Sequence, residues 1–400
     1  MRPTGKLHLG HYFGALQNWV RMQDEYDCLF CVVDWHALTT HYEDTSSVAQ
    51  NTLEVATDWL AVGLDPEKAT LFVQSSVLEH AELHLLLSMI TPLGWLERVP
   101  TYKEQIENLK DRDLGTYGFL GYPLLQTADI TLYDGELVPV GEDQVPHIEL
   151  AREIARRFNT HFGLQVDREA TISERNIEAA TALYTRLVVK PPQGYWESAV
   201  GPQQAAELES AIRRYAAGIG LENFFKENSR TKDFVQRRRI LSEPESLLTE
   251  TPRLPGTDGR RMAKSYGNAI WLSDPPEEIR SKARNMMTDP QRVRRTDPGR
   301  PEVCPVFAYH KLFSTPEVIA WSDQGCRTAG IGCVECKSAM ADALVKWIEP
   351  VQTRRKEFEA QPQKVWDILD AGSAQARKMA RRTMKRVREA IFKWGEARKA

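Results

Sequence analysis

The chemistry in this chain starts from two histidines near its beginning and a lysine far downstream. His8-Leu9-Gly10-His11, preceded by Pro3-Thr4-Gly5, reads as the opening of a helix. Histidines three apart share one face of a first helical turn, whose unsatisfied N–H groups offer a polyphosphate a place to dock. Gly10 lets a nucleotide ring come close to the backbone. Far downstream, Gly256-Thr257-Asp258-Gly259-Arg260-Arg261-Met262-Ala263-Lys264-Ser265-Tyr266-Gly267-Asn268 is a basic loop bounded by glycines and read as mobile. Lys264 there has the charge to neutralise a leaving pyrophosphate.

The cysteines suggest a second site. Four of the six, Cys304, Cys326, Cys333 and Cys336, have the spacing C-x21-C-x6-C-x2-C. Spaced cysteines in a protein read as cytoplasmic point to metal rather than disulfides. Geometry alone suits zinc and an iron–sulfur cluster equally. Cys28 and Cys31 fall in an apolar run and read as core.

The elements that position these groups follow from periodicity. Residues 10–23 read as a helix. Cys28–Val33 is an apolar run ending at Asp34-Trp35-His36, as in a strand buried on both faces of a parallel sheet. A helix over 46–62 is expected, with Thr45 or Ser46 as cap and Gly63 as stop. Ala69–Gln74 is a second buried run, and 79–91 is again helical. This alternation implies βαβ units, with ligands at the carboxyl ends of the strands, where Asp34 to His36 lie. From 164 to 238 the rhythm breaks, and a helical insertion of unknown role is expected, split at Lys190-Pro191-Pro192-Gln193-Gly194. Beyond 275 the chain reads as helix, except at 288–303 and 323–336.

Composition excludes some classes. The chain has 400 residues, 27% charged and 42% hydrophobic, with a formal net charge of −3. That is ordinary for a soluble enzyme of two or three domains. No apolar run is long enough to span a membrane, and nothing at the start resembles a signal peptide, so a cytoplasmic location is expected. Residues 376–400 hold ten Lys or Arg against two Glu, which points to a polyanion-binding terminus.

In this order and separation, HLGH and RMAKS resemble the HIGH and KMSKS signatures of class I aminoacyl-tRNA synthetases. The stretches PTGKLHLGHYFGAL, VVDWHALTT, YPLLQTADITLYD, VPVGEDQVPHIELAREIARRFN, LPGTDGRRMAKSYGNAI and TDPQRVRRTDPGRPEVCPVFAYHKLF resemble the tryptophanyl-tRNA synthetases in particular. The resemblance implies an α/β fold. A Rossmann-like parallel-sheet catalytic domain would take residues 1–163 and 239–275, with the insertion over 164–238. A helical tRNA anticodon-binding domain with the four-cysteine site would take 276–400. His8, His11 and Lys264 would be catalytic. Thr4, Gly5, Gly10, Asp143, Arg261, Met262, Lys264 and Ser265 would bind ATP, which brings Mg²⁺. For tryptophan, Asp129 would accept the indole N–H, Tyr122 and Gln144 would hold the ammonium, and His36, Val138 and Val140 would line the ring. A [4Fe–4S] cluster on Cys304, Cys326, Cys333 and Cys336 is the implied metal group, with Zn²⁺ as the alternative. The implied partners are L-tryptophan, tRNA(Trp) and a second copy of the chain.

The chain departs from the family pattern at three places. Arg261 stands for a lysine and Ala263 for a serine in the downstream signature. In addition, only Met1 and Arg2 precede Pro3, so the central strand that opens this fold is expected to be missing, through a late start or a truncation. The expected activity is tryptophan–tRNA ligase. The rivals are a catalytically weak or silent paralogue that binds nucleotide or RNA in a regulatory role and, behind it, a tyrosyl-tRNA synthetase.

Overall fold

The apolar run at Cys28 forms strand β1 (Cys28–Val32), and the second run forms β2 (Ala69–Val73), every residue of which is buried. The two pair in parallel, with Cys28 opposite Ala69 and Val32 opposite Val73. A computed structural model describes residues 1–100, 102, 114–188, 202–248 and 254–393. The expected split at Lys190–Gly194 and the last residues of the basic terminus, from Trp394, lie outside the described residues. No described helix is long and apolar enough to cross a membrane.

The chain divides into two compact units, Met1–Val77 with Leu248–Ala376, and Leu78–Leu247 with Arg377–Ala400. These divisions do not fall at the boundaries expected at 163, 238 and 275. In the first unit the helices beyond 275 share one core with the sheet. Leu9, Trp59 and Leu71 belong to the same buried cluster as Ile279, Tyr309, Leu344 and Leu369. The crossover between β1 and β2 contains the helices Asp34–His41 and Val48–Val62. The second stops at Gly63, whose φ of +110° ends it without the strain a side chain would bring. Its N-cap is Ser47, not Thr45 or Ser46, and Ser47 makes no capping side-chain bond. Met1 lies along β1. Its amino group donates to the Cys31 carbonyl at 2.5 Å, and the Val33 N–H donates to the Met1 carbonyl at 2.9 Å. That alternation is one step of a parallel ladder, at the place where the sequence suggested a missing strand.

A buried ion cluster ties the long helix Cys333–Glu359 to the helix Val48–Val62. Arg355, 2% exposed, donates to Asp58 at 2.5 Å and also pairs with Glu54 and Glu359. The other Asp58 oxygen accepts the Leu7 N–H at 2.7 Å. The cluster therefore fixes the backbone one residue before the His8 turn. The segment expected to be irregular over 323–336 is largely helical, because Pro316–Arg327 and Cys333–Glu359 leave only a short connection.

In the second unit the helices Glu79–Ser88, Tyr122–Thr131 and Val145–Phe162 pack on one another. Strand β3 (Leu137–Val140) pairs with a strand near the end of this segment. The insertion is helical, as expected, but two short strands that periodicity missed close its neck. They are β4 (Leu164–Val166) and β5 (Val235–Arg237), paired antiparallel with Leu164 opposite Arg237. Three residues per strand are too few for an alternation to register. β3's partner, β6, spans Glu245–Leu248. Inside the neck, the buried Asn159 accepts the Ile240 and Leu241 N–H groups at 3.0 Å each and donates to the Leu241 carbonyl at 2.9 Å, standing in for a strand edge. The insertion has its own core of Leu164, Leu183, Leu208, Ile212, Phe224 and Phe234.

Candidate active site

The His8 turn is built as a helix start whose backbone donors find partners within the protein. Leu9–His11 is one α-helical turn, continued by a π-helical turn at Tyr12–Leu16 and by α-helix over Gln17–Met22. The single helix expected over 10–23 thus contains a π-turn, a feature that recurs at functional sites. Leu7 and Leu9 are buried anchors on either side of His8. The Leu9 N–H donates to the Ile270 carbonyl at 3.0 Å. The His8 and His11 rings stack with centroids 3.7 Å apart. A Cβ on Gly10 would meet the His8 ring at 2.9 Å, so glycine is what the stack permits at this position.

Burial, then the Lys264 charge, lowers the His8 pKa to about 4. Burial, then His8 and Lys264, lowers that of His11 to about 3. Both rings are therefore neutral at pH 7. They can donate N–H bonds to phosphate oxygens but do not supply a positive charge.

Lys264 supplies the charge. Its ammonium donates to the Thr4 carbonyl at 2.9 Å, the Thr4 hydroxyl at 3.2 Å and the Gly5 carbonyl at 3.0 Å. It also sits 5.5 Å from the centre of the Trp271 ring. Burial lowers its pKa to about 8. The Gly10 N–H points to the Met262 sulfur at 3.4 Å. Thr4, Gly5, His8, Gly10, His11, Met262 and Lys264 are thus brought together, while Arg261 and Ser265 stand exposed on the same loop. The loop was expected to be mobile, but Asn268 staples it. Its side chain accepts the Ala263 N–H at 2.9 Å and donates to the Arg261 carbonyl at 3.0 Å and to Asp258 at 2.7 Å. Sequence reasoning gave no role to Asn268, Trp271, Asp58 or Arg355, since nothing local marks a residue that acts on a loop distant in sequence.

At the carboxyl ends of β1 and β2, Asp34 accepts the Ser75 N–H at 3.0 Å, and Gln74 accepts the Trp35 N–H at 3.1 Å. His36 follows on the same helix and is 5% exposed.

The second unit holds the other expected residues. Asp129 lies on the helix Tyr122–Thr131, with Oδ1 2.7 Å from His80 Nδ1. Tyr122 is buried beside Phe119 and Leu114, and its hydroxyl lies 3.2 Å from His147 Nε2. Val138 and Val140 are half-buried on β3. Gln144 donates to Asp143 at 3.0 Å in the short turn Glu142–Gln144. His80 and His147 were not anticipated. Each shares its helix with a second histidine, His84 and His161 respectively, and nothing local marks which one meets Asp129 or Tyr122.

The four cysteines Cys304, Cys326, Cys333 and Cys336 are reduced and half-buried. Burial, then the neighbouring Cys304, Cys326 and Cys333, pushes the Cys336 thiol up to about 12. The buried Arg292 directs Nη1 to Cys326 Sγ at 3.6 Å. Thiols are soft donors of the type an iron–sulfur cluster or zinc takes, and a guanidinium at one of them can offset thiolate charge. Among the described residues, no three His, Cys, Asp or Glu side chains are already arranged as a metal site.

The basic terminus is only partly open to a partner. Arg377 and Arg381 pair with Glu79, Arg386 with Asp134, Arg388 with Glu82 and Lys393 with Glu209. Lys378, Arg382 and Lys385, spaced along one face of the helix, are exposed.

Comparison with known proteins follows the same lines. Residues 1–184 and 225–349 match the family described as tRNA synthetases class I (W and Y). A tryptophan–tRNA ligase of Ralstonia nicotianae is 49% identical over 98% of this chain and 96% of its own. That of Thermotoga maritima is 43% identical over 98% and 97%. Among solved structures, the tryptophanyl-tRNA synthetase of Campylobacter jejuni complexed with ADP and tryptophan superimposes with a TM-score of 0.73. It is 26% identical, with 98% of each chain covered.

Proposed function

The chain belongs to the class I tRNA synthetases (W and Y), and we propose that it carries out tryptophan–tRNA ligation with the side chains described above. Its fold is the Rossmann-like parallel-sheet one of that class, with a helical C-terminal part. The observation that carries the site reading is the pair of neutral, stacked histidines beside a lysine held on the Thr4–Gly5 turn.

In the first step the tryptophan carboxylate attacks the α-phosphate of ATP·Mg²⁺. An O–P bond forms, the bond to the pyrophosphate oxygen breaks, and tryptophanyl-AMP results. His8 and His11 donate N–H bonds to phosphate oxygens as charge builds on them, and the Gly10 N–H, which meets the Met262 sulfur, assists. Lys264 leaves its Thr4 and Gly5 carbonyls for the pyrophosphate. Thr4, Gly5, Gly10, Met262, Arg261 and Ser265 shape the nucleotide site, and Asp143 helps to place the nucleotide. In the second step the 2′-hydroxyl of the terminal tRNA adenosine attacks the carbonyl of the mixed anhydride, an ester C–O bond forms, the bond to the phosphate oxygen breaks, and AMP leaves with the hydroxyl proton released.

For the amino acid, Asp129 accepts the indole N–H. A competitor without that donor leaves a carboxylate bond unmade, which is the strongest form of rejection a pocket has. Tyr122 and Gln144 take the ammonium, and Val138, Val140 and His36 flank the ring. Residues 1–163 with 239–275 perform the chemistry, and 276–400 serve the anticodon arm of tRNA(Trp). The exposed Lys378, Arg382 and Lys385 meet RNA phosphates. Cys304, Cys326, Cys333 and Cys336 hold a [4Fe–4S] cluster, with zinc as the alternative, and the group cross-links the helices that carry them. A homodimer is supported by Leu85 and Met89, 54% and 71% exposed, which lie four apart on one helical face. The reading as a tRNA ligase supports a cytoplasmic location.

The test is exchange of labelled pyrophosphate into ATP. It should depend on tryptophan and fail with tyrosine or phenylalanine. Equal exchange with tyrosine overturns the pocket assignment, and no exchange with any of the three makes the chain a silent paralogue.

A further inference from the structure

The second unit contains a buried side-chain relay of which the reaction scheme uses only Asp129. His80 is the second residue of the helix Glu79–Ser88 and is fully buried. Its Nδ1 lies 2.7 Å from Asp129 Oδ1, and its Nε2 lies 2.7 Å from the Tyr133 hydroxyl. Tyr133 follows the helix that carries Asp129 and is itself 9% exposed.

The chemistry of the three groups sets the direction of the relay. An ionised carboxylate only accepts, so the proton between His80 and Asp129 belongs to Nδ1. With its proton on Nδ1 the ring accepts the Tyr133 O–H at Nε2, and each of the three groups has a polar partner 2.7 Å away. Both ends of the relay come from one stretch of chain, with the imidazole reaching across from the neighbouring helix. Asp129 is therefore met at one oxygen by a fully buried side chain that has a polar partner at each ring nitrogen.

We infer that His80 is a positioning residue for tryptophan selectivity, and that its bond to Asp129, backed by Tyr133, fixes the carboxylate in the orientation that accepts the indole N–H. The inference rests on the reading of Asp129 as that acceptor. A carboxylate offers about four acceptor directions, so the His80 bond and an indole bond are compatible. Fixing matters because selectivity here depends on the penalty for an unmade bond. A carboxylate free to turn finds water or another donor when the wrong ligand binds, and the penalty falls. One that is held in place cannot, and discrimination is kept.

The experiment uses the full chain and two substrates that differ only at the indole nitrogen, tryptophan and 3-benzothienylalanine, in which sulfur replaces N–H. The readout is the ratio of their kcat/KM values in pyrophosphate exchange, with the KM for ATP measured alongside. His80→Asn puts an amide N–H where Nδ1 stands and should keep the ratio near that of the parent. His80→Gln and His80→Leu should lower it by roughly ten- to a hundredfold, the range for a hydrogen bond to a charged group. The loss should fall on the tryptophan KM and leave the ATP KM unchanged. Tyr133→Phe should lower the ratio less than His80→Leu, and decides the matter should the His80 variants not fold. An unchanged ratio in the Gln and Leu variants, or equal losses with both substrates, overturns the inference. Asp129→Asn separates the two levels. A collapsed ratio there with an intact one in His80→Gln removes only His80's role, whereas an intact ratio in Asp129→Asn removes the acceptor reading and the inference with it.

Discussion

Lys264 and Thr4 lie 260 positions apart and are joined twice, through the Thr4 carbonyl at 2.9 Å and the Thr4 hydroxyl at 3.2 Å. With the Gly5 carbonyl, they match the three donors an ammonium has. The loop that resembles KMSKS thus rests on the turn that leads to HLGH, and neutral oxygens occupy the cation intended for pyrophosphate. Lys264→Ala should lower tryptophan activation by about 10²–10³-fold and leave tryptophan binding nearly unchanged, because the leaving group gains its charge only on the way to the transition state. Single-turnover activation set against equilibrium tryptophan binding checks this.

The same lysine sets an alkaline limit. Burial lowers its pKa to about 8, and only the protonated form carries the charge. Activation should therefore decline as pH rises through 8. Lys264→Arg stays charged throughout, so its profile should be lower in height but flat across that range. An arginine variant with the same alkaline decline would assign the limb to another group.

The histidine pair makes an opposite, acidic prediction about stability. Burial first, and then neighbouring charge, lowers His8 to about 4 and His11 to about 3 from the ordinary 6.5. Between those values the unfolded chain binds protons that the folded chain refuses. Stability should thus be level above pH 6.5 and fall as pH drops from there towards 3. Replacing both histidines by Asn should reduce the slope of the urea midpoint against pH in that window.

Arg355 offers a test of the buried ion cluster. Arg355→Met leaves Asp58 and Glu54 without their cation and should destabilise by about 3–5 kcal/mol. Asp58 also holds the Leu7 N–H, so the activation rate should fall together with the melting temperature. A double change, Arg355→Met with Asp58→Leu, should recover most of the stability but not the rate, since the Leu7 bond is still lost.

What the sequence revealed depended on whether the signal was local. β1, β2, the Gly63 stop and the helices around them were legible, because each is a run or a period within a few residues. The His8 and Lys264 elements were legible as chemistry, but their protonation was not. Neutral imidazoles and a lysine at about 8 follow from burial, which no local pattern encodes. His80, Asn268 and Arg355 were invisible for a related reason, as each acts on a partner in another element. That helices after 275 share the core of the first sheet was not legible either, because it depends on contacts between elements distant in sequence. The basic terminus was judged by charge count alone, which cannot tell a cation already paired, such as Arg388 with Glu82, from an exposed one, such as Arg382.

That distinction yields a prediction for RNA. Changing Lys378, Arg382 and Lys385 together to Ser should weaken tRNA charging and flatten its dependence on salt, by about one unit of slope for each phosphate that is no longer neutralised. Pyrophosphate exchange should be unaffected. Equal salt slopes for parent and variant would take the exposed stripe out of the RNA interface.

The four cysteines are tested by colour and by metal. Burial, then the neighbouring cysteines, pushes the Cys336 thiol up to about 12, so as a free thiol Cys336 stays protonated, and a bound cationic group would draw its proton off. Arg292, directed at Cys326, then offsets the negative charge of the thiolates. Protein purified without oxygen should be brown, with iron and sulfide in near-equal amounts. Cys336→Ser should bleach it and loosen the packing of the helix Cys333–Glu359, which begins at Cys333 and ends at the Arg355 cluster. Charging of tRNA should then fall further than pyrophosphate exchange. Colourless anaerobic protein carrying one zinc would keep the site and change the metal. Metal-free protein with normal charging would remove both.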